Sequence, residues 1–119
     1  MFQRDYILRQ IEELSTVTSL VFFKKKRVLY ELPQTDEYSD SDLLYFQLKQ
    51  LVKENKLNEA EDLLFDRAQP GDKNSLAVAL DFYQTLNEMD DEALEAASYS
   101  REEIRQGLED FLAEFGFQL

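Results

Sequence analysis

The stretch "ENKLNEAEDLLFDRAQP", residues 54–70, places Leu57, Ala60 and Leu64 at steps of three and four behind a polar break at Asn55. That spacing draws an apolar stripe along one helix face. It also predicts a turn just before the helix, with Asn55 in the left-handed conformation that asparagine tolerates. Upstream, Leu44, Leu48 and Leu51, with Val52, form a matching stripe. The helix that carries it starts at "SDSD" (39–42), where Ser39 or Ser41 can cap and Asp40 and Asp42 meet the positive end of the dipole. Two such helices joined by a short turn form a hairpin. The pattern then recurs at an offset of 32 residues, which lays Leu44 on Leu76, Leu48 on Leu80, Leu51 on Tyr83, Asn55 on Asn87 and Leu57 on Met89. The turn "NKLNEA" (55–60) returns as "NEMDDEA" (87–93) with one acidic residue inserted. The repeat predicts two degenerate hairpins, with Leu48, Leu51, Leu57, Ala60, Leu64, Leu80, Tyr83 and Leu86 buried.

The flanks read as helix too. In "MFQRDYILRQIEELSTVTSLVFF" the residues Ile7, Ile11, Leu14, Thr18 and Val21 form one stripe on a long helix from Phe2 to Phe23. Leu8, Val17, Leu20 and Phe22 fall outside it and need a second cover, which predicts self-association through this helix. At the other end, Ser100 and Glu103 have the spacing of a capping box. Ile104, Leu108, Phe111, Leu112 and Phe115 follow as an apolar face, and Gly116 is placed to end the helix. Gly107 inside it costs about 1 kcal/mol relative to Ala, which predicts close approach of another helix, with "EALEAA" (92–97) as the expected neighbour. Only three Gly and two Pro interrupt 119 residues, so the chain reads as a single all-α domain of five or six helices. Its parts are an N-terminal helix with its basic end (1–26), a connector carrying Pro33 (27–38) and a helical array (39–119).

The segment 54–70 resembles the second half of a tetratricopeptide repeat, with Leu57 at the apolar turn position, Glu59-Ala60 at the Glu-Ala pair, Leu64 at the large residue and Pro70 near the end. The match covers about one repeat and a poorer copy, so it does not imply a concave groove of several repeats. The opening "MFQRDYILRQIEEL" and the closing "YSREEIRQGLEDFLAEFG" are similar to a family of small all-helical proteins of Gram-positive bacteria with tetratricopeptide-like helices. That family brings no activity and no functional residues with it. What the resemblance implies is fold and origin alone.

Composition narrows the chemistry. The chain has no Cys and no His, which removes thiolate chemistry and the commonest general base and metal ligand. Asp36, Glu37, Asp40 and Asp42, and again Asp90, Asp91 and Glu92, lack the spacing of a calcium loop and read as helix N-terminal charge. No cofactor, metal or catalytic residue is expected, and the protein is read as no enzyme. The N-terminus lacks the order of a signal peptide, and no window of eighteen apolar residues exists, so a cytoplasmic protein without a membrane span is expected.

One feature stands against the acidic background. Lys24, Lys25, Lys26 and Arg27 form a basic patch in a chain of net charge -12. Residues 1–30 carry six Lys and Arg against three Asp and Glu, whereas residues 31–119 carry seven against 22. A polyanion would be repelled by that body, which disfavours nucleic acid despite the neighbouring aromatics. The patch instead suits the negative end of the helix dipole, protects an apolar segment from aggregation, and complements an acidic body in the same chain or a second one. The expected function is a non-catalytic interaction or scaffold protein that forms a homodimer. The alternative is a regulator that binds a peptide or small ligand in the hairpin groove, lined by Leu44, Tyr45 and Tyr83.

Overall fold

The computed structural model describes residues 2–119, with side chains from Asp5 onward. Among these residues the chain is all-helical, with no strand: α1 (Phe2–Phe23), α2 (Asp40–Lys53), α3 (Leu57–Arg67), α4 (Lys73–Asn87), α5 (Asp91–Ala96) and α6 (Arg101–Glu114). The helix starts are set locally. Ser39 with Asp42 and Ser100 with Glu103 both form reciprocal capping boxes, while Asp72 and Asp90 cap α4 and α5 with their carboxylates. Gly116 stops α6 at φ 84°.

The first hairpin forms as the 54–70 stretch predicts. Asn55 adopts φ 60° between α2 and α3, and Leu57, Ala60 and Leu64 are fully buried along α3. Leu44 and Leu48 face them from α2, while Leu51 packs half-buried at the edge of the core. Its counterpart departs from the sequence repeat. Asn87 keeps helical backbone as the last residue of α4, and α5 has only six residues before Ser98, at φ 53°, turns the chain toward α6.

α4 is the centre of the molecule. It packs against α1, α2 and α6, and Leu76, Val78, Ala79, Leu80, Tyr83 and Leu86 on it are completely buried. A helix surrounded on several sides also buries polar residues, and each needs a partner. Here each polar side chain fixes one passing segment. Ser75 accepts from the Gln69 amide at 2.9 Å, Asp81 accepts from the Tyr30 amide at 2.9 Å, Gln84 donates to the Val28 carbonyl at 3.1 Å, and Asn87 donates to the Leu8 carbonyl at 3.2 Å. Through these bonds α4 positions α1 and the connector that leads from it.

Gly107 permits the closest approach in the core, and the approaching group is not the 92–97 segment. A Cβ at Gly107 would lie 2.0 Å from Glu61 Oε2 and 2.8 Å from the Tyr83 hydroxyl. Side chains of α3 and α4, rather than the backbone of α5, occupy the space that glycine leaves.

Candidate interaction surface

The inner face of α1 is polar and small. Ile11, Ser15, Thr18 and Ser19 are buried, and the hydroxyls of Thr18 and Ser19 donate back to the Leu14 and Ser15 carbonyls at 2.7 Å each. Hydroxyls satisfied by their own helix can be buried at little cost, and their small size lets α1 lie close to its neighbours. Phe22 completes this face by packing edge-on against Phe117, with ring centroids 5.3 Å apart. An aromatic ring offers more area for burial than a valine, so the helix turns Phe22 inward and leaves Val21 outside.

The residues expected to mediate self-association therefore divide. Leu8 and Phe22 are half-buried within the protomer, whereas Val17 and Leu20 are exposed by 46% and 43%. Val21, placed in the core stripe by its spacing, joins them at 48%. Val17, Leu20 and Val21 form a ridge at steps of one and three on the outer side of α1. Val17 also forms part of a shallow hollow of about 340 Å³ lined by Leu14, Arg105, Glu109 and Leu119. The connector does not cover this ridge. It runs instead across α4, with Val28 buried and Leu29 and Leu32 exposed.

The basic patch divides in the same way. Arg27 holds Glu88 through two hydrogen bonds of 2.9 and 3.0 Å, which ties the end of the patch to the acidic body of its own chain. Lys24, Lys25 and Lys26 are exposed, with no ion pair among the described residues. Lys24 takes φ 60° where the helix ends, and its amide still donates to the Leu20 carbonyl at 3.2 Å.

Behind α1 lies a cleft of about 520 Å³, lined by Leu8, Ile11, Ser15, Lys26, Arg27 and Arg101 among others. Most of its charge is spent on the fold. Arg101 donates to the Asn87 and Met89 carbonyls at 2.7 and 2.6 Å and pairs with Asp91 at 3.3 Å, so its guanidinium caps the end of α4. The Ser15 hydroxyl is buried there without a hydrogen-bond partner among the described residues.

The expected groove is not assembled. Leu44 and Tyr83 are buried in the core at 2% and 0% exposure, and only Tyr45 reaches the surface between α2 and α4. The connector fills this place. Tyr30 lies against Tyr45 with ring centroids 5.0 Å apart, and its hydroxyl donates to Asp42 at 2.6 Å. Burial, reinforced by that carboxylate, pushes the Tyr30 phenol up to about 12. The same bond, followed by the Ser39 amide, holds the Asp42 carboxyl below its ordinary value.

A half-buried carboxylate sits under α6. Glu61 accepts from Tyr83 at 2.6 Å, and burial raises its carboxyl above the ordinary value although the Tyr83 bond opposes the shift. Asp42 and Glu61 serve as acceptors that fix Tyr30 and Tyr83. The spacing of apolar residues could not reveal them. Ser39 and Asp42 alone had a local signal, that of a capping box.

The chain belongs to a family of unknown function (DUF6483), whose model matches residues 1–116. No curated protein and no solved structure matches the chain. Among the described residues no helix is long and apolar enough to cross a membrane.

Proposed function

We propose that this is a non-catalytic interaction protein of the bacterial cytoplasm that works as a homodimer, with the outer face of α1 as its contact surface. The exposed ridge of Val17, Leu20 and Val21 carries this reading. Three neighbouring apolar side chains left in water on a helix otherwise well seated are a cost that burial against a partner relieves. The exposed lysines beside the ridge, without an ion pair among the described residues, give a second copy, with its net charge of -12, an attractive approach at this end of α1. The α2–α3 pair, joined by a three-residue turn, supports a tetratricopeptide-like ancestry, in which such hairpins serve as interaction scaffolds. Peptide capture between α2 and α4 has less support, because the connector already lies there.

Light scattering coupled to size exclusion tests the proposal. The wild-type chain should run as a dimer, and Val17→Asp with Leu20→Asp should give a folded monomer of unchanged helicity. A wild type that remains monomeric at high micromolar concentration would overturn it.

A further inference from the structure

The same surface specifies how two copies meet, if the self-association proposed above holds. At about 100° per residue, Tyr6, Glu13, Val17 and Leu20 fall within roughly 60° of arc on α1. Lys24 follows at the end of this face: its amide still bonds to the Leu20 carbonyl, which keeps its backbone beside the last turn, and at φ 60° its long side chain leaves the helical path. Glu13 and Lys24 are both exposed, and neither has an ion-pair partner among the described residues. The order along this face is acid, two apolar residues, base.

That order is self-complementary only when reversed. Glu13 stands four residues before Val17, and Lys24 stands four residues after Leu20. In an antiparallel pair with its two-fold axis level with Thr18 and Ser19, Val17 of one copy therefore lies opposite Leu20 of the other. In the same register Glu13 lies opposite Lys24, and symmetry makes each contact twice. Alternatives lose one or both matches. A parallel pair sets Lys24 against Lys24 and Glu13 against Glu13. Sliding the antiparallel pair by one helical turn sets Glu13 against Leu20, or Val17 against Lys24.

We infer that the partner of α1 is a second copy docked antiparallel, with Val17 packed on Leu20 and Glu13 paired with Lys24 across the two-fold axis. The apolar pair supplies the attraction, and the flanking charges set direction and register. The three lysines have distinct surroundings in this arrangement, and Lys24 is the one that faces the partner helix.

Charge reversal separates register from association. Sedimentation velocity on the full chain would compare wild type, Glu13→Lys, Lys24→Glu and the double variant, with circular dichroism confirming the fold. Each single reversal replaces two attractive pairs by two repulsive ones and should weaken the dimer by about tenfold. The double variant restores opposite charges at the same positions and should recover wild-type affinity to within about threefold. A dimer that ignores both single reversals, or a double variant weaker than either, would overturn the register and leave self-association standing. A monomeric wild type would overturn both.

Discussion

The Tyr83 hydroxyl donates to the Glu61 carboxylate at 2.6 Å in the space left by the missing side chain of Gly107. The glycine in α6 is therefore a packing requirement. Gly107→Ala gains about 1 kcal/mol of helix propensity, yet its methyl meets a carboxylate and a fully buried tyrosine ring. Overpacking should win, with a net loss of about 1–3 kcal/mol in urea denaturation. Because Glu61 can swing away only by abandoning Tyr83, Gly107→Ala combined with Glu61→Ala should be clearly non-additive.

Glu61 also predicts a pH dependence. Its folded carboxyl binds a proton more tightly than its ordinary value of 4.5, because burial disfavours the charge. A carboxyl raised in this way favours folding at acid pH, and its contribution declines as pH rises through the folded value. Glu61→Gln keeps an acceptor for Tyr83 without a charge. Denaturation at pH 5 and pH 8 should show a smaller difference for the variant than for wild type, with the variant at least as stable at the higher pH.

The Tyr30–Asp42 bond carries the opposite sign. Asp42 is held below its ordinary value of 3.8, so its contribution is present above that pH and is lost as pH falls through the folded value. Tyr30→Phe removes the donor that contributes most to this shift. The variant should lose about 1 kcal/mol at neutral pH, and the difference from wild type should shrink in strong acid. Amide exchange in residues 28–32 should rise with it, since Tyr30 anchors the connector.

Ser100→Ala removes one half of the capping box that starts α6. The Ser100 oxygen accepts from the Glu103 amide at 3.1 Å, and the Glu103 carboxylate accepts from the Ser100 amide at 2.7 Å. Thermal unfolding should show a loss of about 1 kcal/mol. Oligomeric state should not change, because the cap lies away from the ridge on α1.

What could be read from sequence follows the range of the interaction concerned. The Ser100–Glu103 capping box, the left-handed Asn55 and the stop at Gly116 involve residues within four positions of each other, and local spacing is enough to find them, whereas at the start of α2 it leaves Ser39 and Ser41 both open as caps. The first hairpin was legible for the same reason. Asp81, Gln84 and Asn87 were not, because their partners lie 51, 56 and 79 positions away, and a buried polar residue on a helix looks like a surface one until its partner is known. The face of α1 was misread by a small rotation. Spacing favoured Val21 for the core, while the distant Phe117 draws Phe22 inward and the hydroxyls of Thr18 and Ser19 make a polar face cheap to bury. The same rotation moves the exposed apolar face of α1 from Leu8 and Phe22 to Val21. Lys24 and Arg27, the two ends of one basic run, part company because Glu88 captures only the second.

The seat of α1 has a consequence for synthesis. α1 is packed chiefly by α4 and α6, and α6 is made after the other five described helices. α2 and α3 can pair as soon as residues 40–67 have left the ribosome, whereas the far earlier α1 must wait for residues 101–114. During that interval the segment from Val17 to Phe23 is both apolar and rich in β-branched residues, the composition most prone to intermolecular pairing in a nascent chain. Lys24 to Arg27 follow it directly, so their charge is present almost as soon as the segment emerges. Charge next to such a segment is expected to disfavour intermolecular pairing before folding, and Arg27 gains its own partner only when Glu88 arrives.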